Sequence, residues 1–241
     1  MVELRFTEAR PSDALMHRAM QGEVQVWRAH LDEAGSYLKR DCLSLSEHER
    51  AARMRWSAHR ELFVFARSML RVVLGAYLDV DPVRLVFDVE AGGKPVLFGR
   101  DLQFSLSHAN GGVLLAITGN RRVGCDLESV ERRVDLDVLA SASLTQAERD
   151  DFGRTTLSAR KAWLLQMWTR KEAVLKAQGV GIGRDPRELA VRWPVVAPAY
   201  GECVDGAQRW AVLDVALGPQ WLASVAMERE AADVRCFCLG W

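Results

Sequence analysis

The sequence predicts an α+β protein made of two similar α+β lobes related by a pseudo-twofold, with the active cleft between them. Two observations carry this. A helix-capping pattern recurs in each half of the 241 residues, and each copy leads through a long helical segment and an Asp-Pro break into a strand-rich stretch. Two copies at so long a period indicate a duplicated domain and not a solenoid, whose repeats are short and numerous. The expected division is residues 1–121 for the first lobe and 122–241 for the second.

Taken in order, Leu45-Ser46-Glu47-His48-Glu49-Arg50 opens a helix, with Ser46 read as the cap and Glu49 completing a capping box three residues on. Leu144-Thr145-Gln146-Ala147-Glu148-Arg149 repeats the device. The long helices are read at roughly Ala58 to Leu78 and Ser158 to Gln178, with Arg71 25 residues past Ser46 and Lys171 26 past Thr145. Each ends near a Gly and then meets Asp81-Pro82 or Asp185-Pro186, where proline cannot continue a helix. Apolar, β-branched runs give strands at Val24 to Arg28, Arg84 to Val89, Val113 to Thr118 and Arg122 to Glu128. Trp210 to Ala216, Trp221 to Met227 and Val234 to Leu239 are assigned to the second lobe.

Composition excludes several classes. With 49% hydrophobic and 27% charged residues, and 32 basic against 32 acidic, nothing global favours nucleic acid or a membrane surface. An anion site must therefore come from local clustering. Met1 to Arg10 is charged and lacks an apolar signal core, and no apolar run approaches bilayer length, so a cytoplasmic protein is expected. Cys42, Cys125, Cys203, Cys236 and Cys238 are scattered and read as reduced packing residues, since Cys236 and Cys238 have no second pair at zinc spacing.

The chemistry concentrates between Gly124 and Lys176. In a strand Gly124-Cys125-Asp126-Leu127-Glu128, Asp126 and Glu128 share one face while Leu127 points the other way. In a helical Trp168-Thr169-Arg170-Lys171-Glu172-Ala173-Val174-Leu175-Lys176, the residues Trp168, Glu172 and Lys176 recur every four and line one face. Three carboxylates without a His or Cys pair favour a hard cation, Mg²⁺, completed by waters and phosphate oxygens. Each piece has a plainer reading: a D-x-E at a strand end is commonly a solvated edge, and Glu172 with Lys176 is a surface ion pair. Upstream, Gly92-Gly93-Lys94-Pro95 is a turn whose Lys94 could grip an anion. Phe104-Ser105-Leu106-Ser107-His108-Ala109-Asn110-Gly111-Gly112 runs from a strand into a polar bend suited to phosphate. Ser107 and His108 are adjacent on a strand and point apart, so they form no hydrolase dyad. Arg50, Arg53, Arg55, Arg60, Arg67 and Arg71 populate the helical region bordering the cleft.

This ordered set of Gly93-Lys94-Pro95, Phe104 to His108, Gly124 to Glu128 and Trp168 to Ala177 closely resembles the 4'-phosphopantetheinyl transferases. The likeness is to the larger two-lobed, single-chain group that activates polyketide, peptide and siderophore synthetases, and it spans about Leu45 to Gly181. It implies a transferase that moves the phosphopantetheine arm of coenzyme A onto a carrier-protein serine and releases adenosine 3',5'-bisphosphate. It also implies that Asp126, Glu128 and Glu172 hold Mg²⁺ against the pyrophosphate, that Lys176 steadies phosphate oxygens and that Glu172 serves as general base. Lys94, Pro95, Ser107 and His108 would meet the nucleotide end, with Arg60 and Arg67 as further phosphate contacts. Glu49 and Ala52 stand where members of this group often have lysines, a gap that Arg50 or Arg53 could fill. An acidic acyl or peptidyl carrier protein would dock near Trp163, Leu164 and Met167, unless that stripe is core packing. A monomer is expected, since two lobes already complete the cleft. A coenzyme A pyrophosphohydrolase and a non-catalytic carrier-binding module are the alternatives.

Overall fold

The computed structural model describes residues 5–33, 40–99, 101–193, 200–206, 208–228 and 232–239; Met1 to Leu4, at the start of the segment read for a targeting signal, lie outside them. The strands are β1 (Phe6–Ala9), β2 (Val24–His30), β3 (Phe87–Val89), β4 (Pro95–Leu97), β5 (Gln103–Ala109) and β6 (Gly112–Thr118) in the first half. They continue with β7 (Val123–Ser129), β8 (Ala190–Arg192), β9 (Tyr200–Asp205), β10 (Gln208–Asp214), β11 (Trp221–Glu228) and β12 (Val234–Leu239). The helices are α1 (Asp13–Met20), α2 (Leu45–Ala52), α3 (Ser57–Leu78), α4 (Leu136–Ser143), α5 (Gln146–Arg154) and α6 (Leu157–Gln178). Both long helices fall within a residue of their expected starts and end where expected. Among the described residues no helix is long and apolar enough to cross a membrane.

Period-2 alternation builds a four-layer stack from these elements. One sheet has the order β1-β12-β2-β6-β5 and the other β7-β11-β10-β9-β8. On β6, Val113, Leu115 and Ile117 face α3 together with Trp27 and Phe104, against Phe65, Met69, Leu70, Val73 and Tyr77 of the helix. The intervening Leu114 and Ala116 face the second sheet, where they join Val24, Val26, Val123, Cys125, Leu127, Val225 and Met227. The opposite face of the second sheet gives Trp210, Val212 and Ala226 to Ala173, Val174 and Ala177 of α6. The layers thus run α3, first sheet, second sheet, α6.

Val234–Leu239 departs from the expectation. It was assigned to the second lobe, but as β12 it lies parallel between β1 and β2 in the first sheet. The physical reason is two-sided burial: Phe237 stacks on Trp27 at 4.8 Å between centroids and joins the α3 core, while Cys236 enters the layer between the sheets. The segment expected at Arg84 to Val89 shortens to β3, because the Asp81 side chain accepts from Val83 N and turns Pro82–Arg84 into a single 3₁₀ turn.

The likeness of the two lobes shows in paired buried ions. In the second lobe Thr145 and Glu148 form the expected capping box. In the first lobe the cap is Ser44 with Glu47, two residues before the expected Ser46 and Glu49. Both serines have a Glu three residues on; the earlier pair wins because Glu47 also points inward to Arg67 and Arg71. Arg71 Nε donates to Glu47 Oε2 at 2.6 Å, 24 residues away, and its Nη1 donates to Pro82 O at 2.7 Å. Lys171 Nζ donates to Glu148 Oε2 at 2.5 Å, 23 residues away, and to Pro186 O at 3.1 Å. A capping glutamate, a basic residue on the long helix and a carbonyl of the following Asp-Pro turn thus recur in the same arrangement.

Lys171 is 0% exposed, so its charge depends on these acceptors. Glu148→Ala is expected to lower unfolding stability by about 3 kcal/mol, because it leaves a buried ammonium without its carboxylate. Arg154→Ala, which removes an exposed ion pair with Asp151, should stay within about 0.5 kcal/mol. Urea denaturation of the two variants checks the contrast.

Candidate functional site

The second sheet's edge strand β7 runs beside β5, the edge of the first sheet, and two serine hydroxyls join them. Cys125 N donates to Ser105 Oγ at 3.0 Å, and Leu127 N donates to Ser107 Oγ at 3.2 Å. The same alternation that buries Cys125 and Leu127 between the sheets turns Gly124, Asp126 and Glu128 toward α6. At Gly124 any Cβ would overlap the Ala173 carbonyl oxygen and the Ala177 nitrogen, so glycine is what lets α6 lie against this strand.

That close approach brings the helix face Trp168, Glu172, Lys176 onto the carboxylates. Lys176 Nζ donates to Asp126 Oδ1 at 2.6 Å and to Ser107 Oγ at 2.9 Å, and Ser107 Oγ is itself 3.0 Å from Asp126 Oδ1 and donates to it. Two turns back, Trp168 Nε1 donates to Glu128 Oε1 at 3.1 Å. Burial, then the neighbouring Asp126 charge, raises the pKa of both Glu128 and Glu172 above the ordinary carboxylate range. Burial works against the Lys176 ammonium, but Asp126 and its neighbours outweigh it and raise the pKa. The three carboxylates therefore share one electrostatic neighbourhood, and Lys176 lies within it.

Asp126 Oδ1 is fully engaged, whereas Oδ2 is buried without a hydrogen-bond partner among the described residues. Such an orphan is costly unless a ligand takes it. Among the described residues no group of three or more His, Cys, Asp and Glu side chains is gathered closely enough to hold a metal ion as placed. The donor chemistry is nonetheless all oxygen, with one buried acceptor in want of a partner, and suits a hard divalent cation.

A cleft of about 830 Å³ opens beside Glu128. Arg50 of α2, His59 and Leu62 of α3, His108, Asn110 and Glu128 are among its walls. The expected polar bend is the two-residue hairpin Asn110-Gly111, both at positive φ, joining β5 to β6. His108 reaches the cleft, while Ser107 on the other face holds Asp126, so the adjacent pair does diverge as strand geometry requires.

Other expected contacts are placed elsewhere. Arg67 does not line the cleft; its guanidinium is committed to Glu47 and lies over Phe87. Arg60 is exposed and donates to Met54 O at 2.8 Å. Lys94 was read as an anion grip, but it is buried and donates to Val123 O at 2.9 Å. The turn packs so tightly on the end of α6 that a Cβ at Gly92 would strike the Gly179 carbonyl, which draws Lys94 inward. Pro95 opens β4 opposite Val89, away from the cleft. Of the suggested docking rim, Leu164 and Met167 are buried among Leu139, Leu144 and Phe152, with Trp163 packed on them, so core packing wins there. Arg132, which pairs with Glu128 four residues earlier, was not singled out from sequence; an acid and base at that spacing past a strand end was the available signal.

Comparison with known proteins decides the family. A cyanobacterial protein from Nostoc, 4'-phosphopantetheinyl transferase HetI, is 33% identical over 86% of this chain and 89% of its own. The chain belongs to the 4'-phosphopantetheinyl transferases. The family model described as the 4'-phosphopantetheinyl transferase superfamily matches residues 122–226, which hold all three carboxylates and Lys176. A putative 4'-phosphopantetheinyl transferase of Synechocystis is 28% identical over 68% of each chain, and a phosphopantetheinyl transferase of Thraustochytrium is 27% identical over 79% of this chain and 72% of its own. The solved Thermotoga maritima holo-[acyl-carrier-protein] synthase covers 45% of this chain and 63% of its own at 19% identity and a TM-score of 0.37, a likeness too slight to argue from.

Burial lowers the Lys94 pKa to about 8, and the nearby Glu90 charge only partly offsets it. Between about 8 and the ordinary lysine value the unfolded chain binds more protons than the folded one, so stability rises with pH through that window. Relative to Lys94→Met, the natural transferase is expected to gain about 3 kcal/mol on going from pH 7 to above pH 10. Denaturant titrations at a series of pH values read this difference directly.

Proposed function

We propose that this transferase moves the 4'-phosphopantetheine group of coenzyme A onto a serine hydroxyl of an acyl or peptidyl carrier protein, releasing adenosine 3',5'-bisphosphate. The observation that carries the reading is Asp126: one oxygen held by Ser107 and Lys176, the other buried and without a partner among the described residues, beside two carboxylates whose pKa values it raises. Asp126, Glu128 and Glu172 would hold a Mg²⁺ ion. When bound, that ion would neutralise the pyrophosphate and so ease departure of the nucleotide.

The remaining roles belong to the chain's own groups. Lys176 is pinned by Asp126 and Ser107 with its ammonium kept charged, which suits it to steady a phosphate oxygen. Glu172 has its pKa raised toward the range in which a carboxylate can take a proton from a serine hydroxyl, directly or through water. Transfer of this kind asks mainly for positioning and charge neutralisation, and a rigid strand and helix locked by Gly124 supply the first. The cleft would take the nucleotide end, with His108 and Arg50 on its walls. Arg50 stacks on Phe63 at 5.1 Å, which leaves its edge for an anion. All the residues assigned lie in one chain, so a monomer suffices.

Incubation of apo carrier proteins with the enzyme, coenzyme A and Mg²⁺ is expected to give a phosphopantetheine mass increase that disappears on chelation, read by intact-protein mass spectrometry. Asp126→Asn should cut that turnover by more than about a hundredfold, since it removes a proposed ligand and not merely its support. Coenzyme A cleaved without gain on any carrier would favour the pyrophosphohydrolase instead, and a carrier bound yet unmodified would favour the binding module.

A further inference from the structure

We propose that Arg132 is a latch on Glu128: it competes with the divalent cation for that carboxylate and, once displaced, turns to the phosphates of the donor. The inference rests on the reading that Asp126, Glu128 and Glu172 hold the cation. Three observations point to it. Arg132 lies four residues after Glu128, beyond the end of β7, and its Nη1 hydrogen-bonds Glu128 Oε1. The same guanidinium sits 5.8 Å over the ring of Trp168, whose indole NH donates to the same oxygen. Both Glu128 and Arg132 line the cleft.

One carboxylate oxygen thus has two donors that also touch each other. Such an arrangement holds a side chain in one place more firmly than a lone surface pair would. Charge balance shows what it does. Lys176 offsets Asp126, Arg132 offsets Glu128, and Glu172 has no ion-pair partner among the described residues. With the ion absent, Arg132 lessens the repulsion among three carboxylates. A dication drawn to them takes the oxygen that Arg132 holds. The released guanidinium then stands in the cleft wall without its Glu128 partner, and its planar fork matches a phosphate. Loading the cation would in this way prepare the cleft for the polyanionic donor.

The test uses the full chain with Mn²⁺ as the probe, its free concentration followed by electron paramagnetic resonance, and the KM for coenzyme A measured separately. Arg132→Ala is expected to bind Mn²⁺ roughly threefold or more tightly, because its competitor is gone. The same variant should raise the KM for coenzyme A roughly tenfold through loss of a phosphate partner. A merely structural residue would not move the two in opposite senses. Arg133→Ala removes an equal charge one residue on, from a side chain that is exposed, and should leave both unchanged. Equal tightening by Arg133→Ala, an unaltered or weaker Mn²⁺ affinity in Arg132→Ala, or an unaltered KM overturns the latch. Asp126→Asn separates this from the underlying reading: if that variant still takes up Mn²⁺, or the natural chain takes up none, the carboxylate site itself falls and the latch with it.

Discussion

The contact between α6 and β7 is the constraint on which the rest of the second lobe depends. A missing side chain at Gly124 lets the helix approach, and the buried Lys171–Glu148 pair ties it to α5. Lys171 immediately precedes Glu172, so an error in that structural ion pair would be transmitted over a single residue to the site. Glu148 also accepts from Val191 N and from Thr145 N, which ties the start of α5 and the edge strand β8 to the same carboxylate. The stability of the lobe and the placing of its chemistry are therefore one problem with one solution.

The first lobe solves the same structural problem and stops there. Its α3 spans the same length as α6 and likewise ends in a left-handed residue, Asp79 where α6 has Gly179. Arg71 corresponds to Lys171, but the positions matching Glu172 and Lys176 carry Val72 and Ala76. The duplicated framework of cap, ion pair and Asp-Pro turn persists, while the groups that could do phosphate chemistry are confined to one copy. In the other, cleft-lining residues on α2, α3 and the β5–β6 hairpin stand on the matching scaffold.

Features set by local rules were legible in the sequence. The two long helices, the second capping box and the shared face of Asp126 and Glu128 follow from periodicity and hydrogen-bonding patterns within a few residues. The convergence of Trp168, Glu172 and Lys176 on β7 was half legible: helical spacing put the three together, but only the fold shows which strand they meet. What escaped was decided at long range. Ser44 outcompeted Ser46 because of an arginine on another helix, and Lys94 turned inward because of a turn packed on the end of α6. β1, α1, α4, β8 and β9 are short elements whose own sequences signal little, and packing partners fix them.

The placement of β12 bears on how the chain comes together in time. β1 and β2 do not touch as neighbours; each pairs in parallel with β12 and is bridged by it. The sheet begun by residues 6–9 is thus closed only by residues 234–239, after every strand of the second sheet has been synthesised. Parallel pairing between segments this far apart in sequence is entropically late. Until it forms, Val24–His30 presents an open ladder edge of the kind that invites mispairing with other chains. Nascent molecules would carry that vulnerable edge until residues 234–239 have been made, a hazard the ribosome and its chaperones must cover.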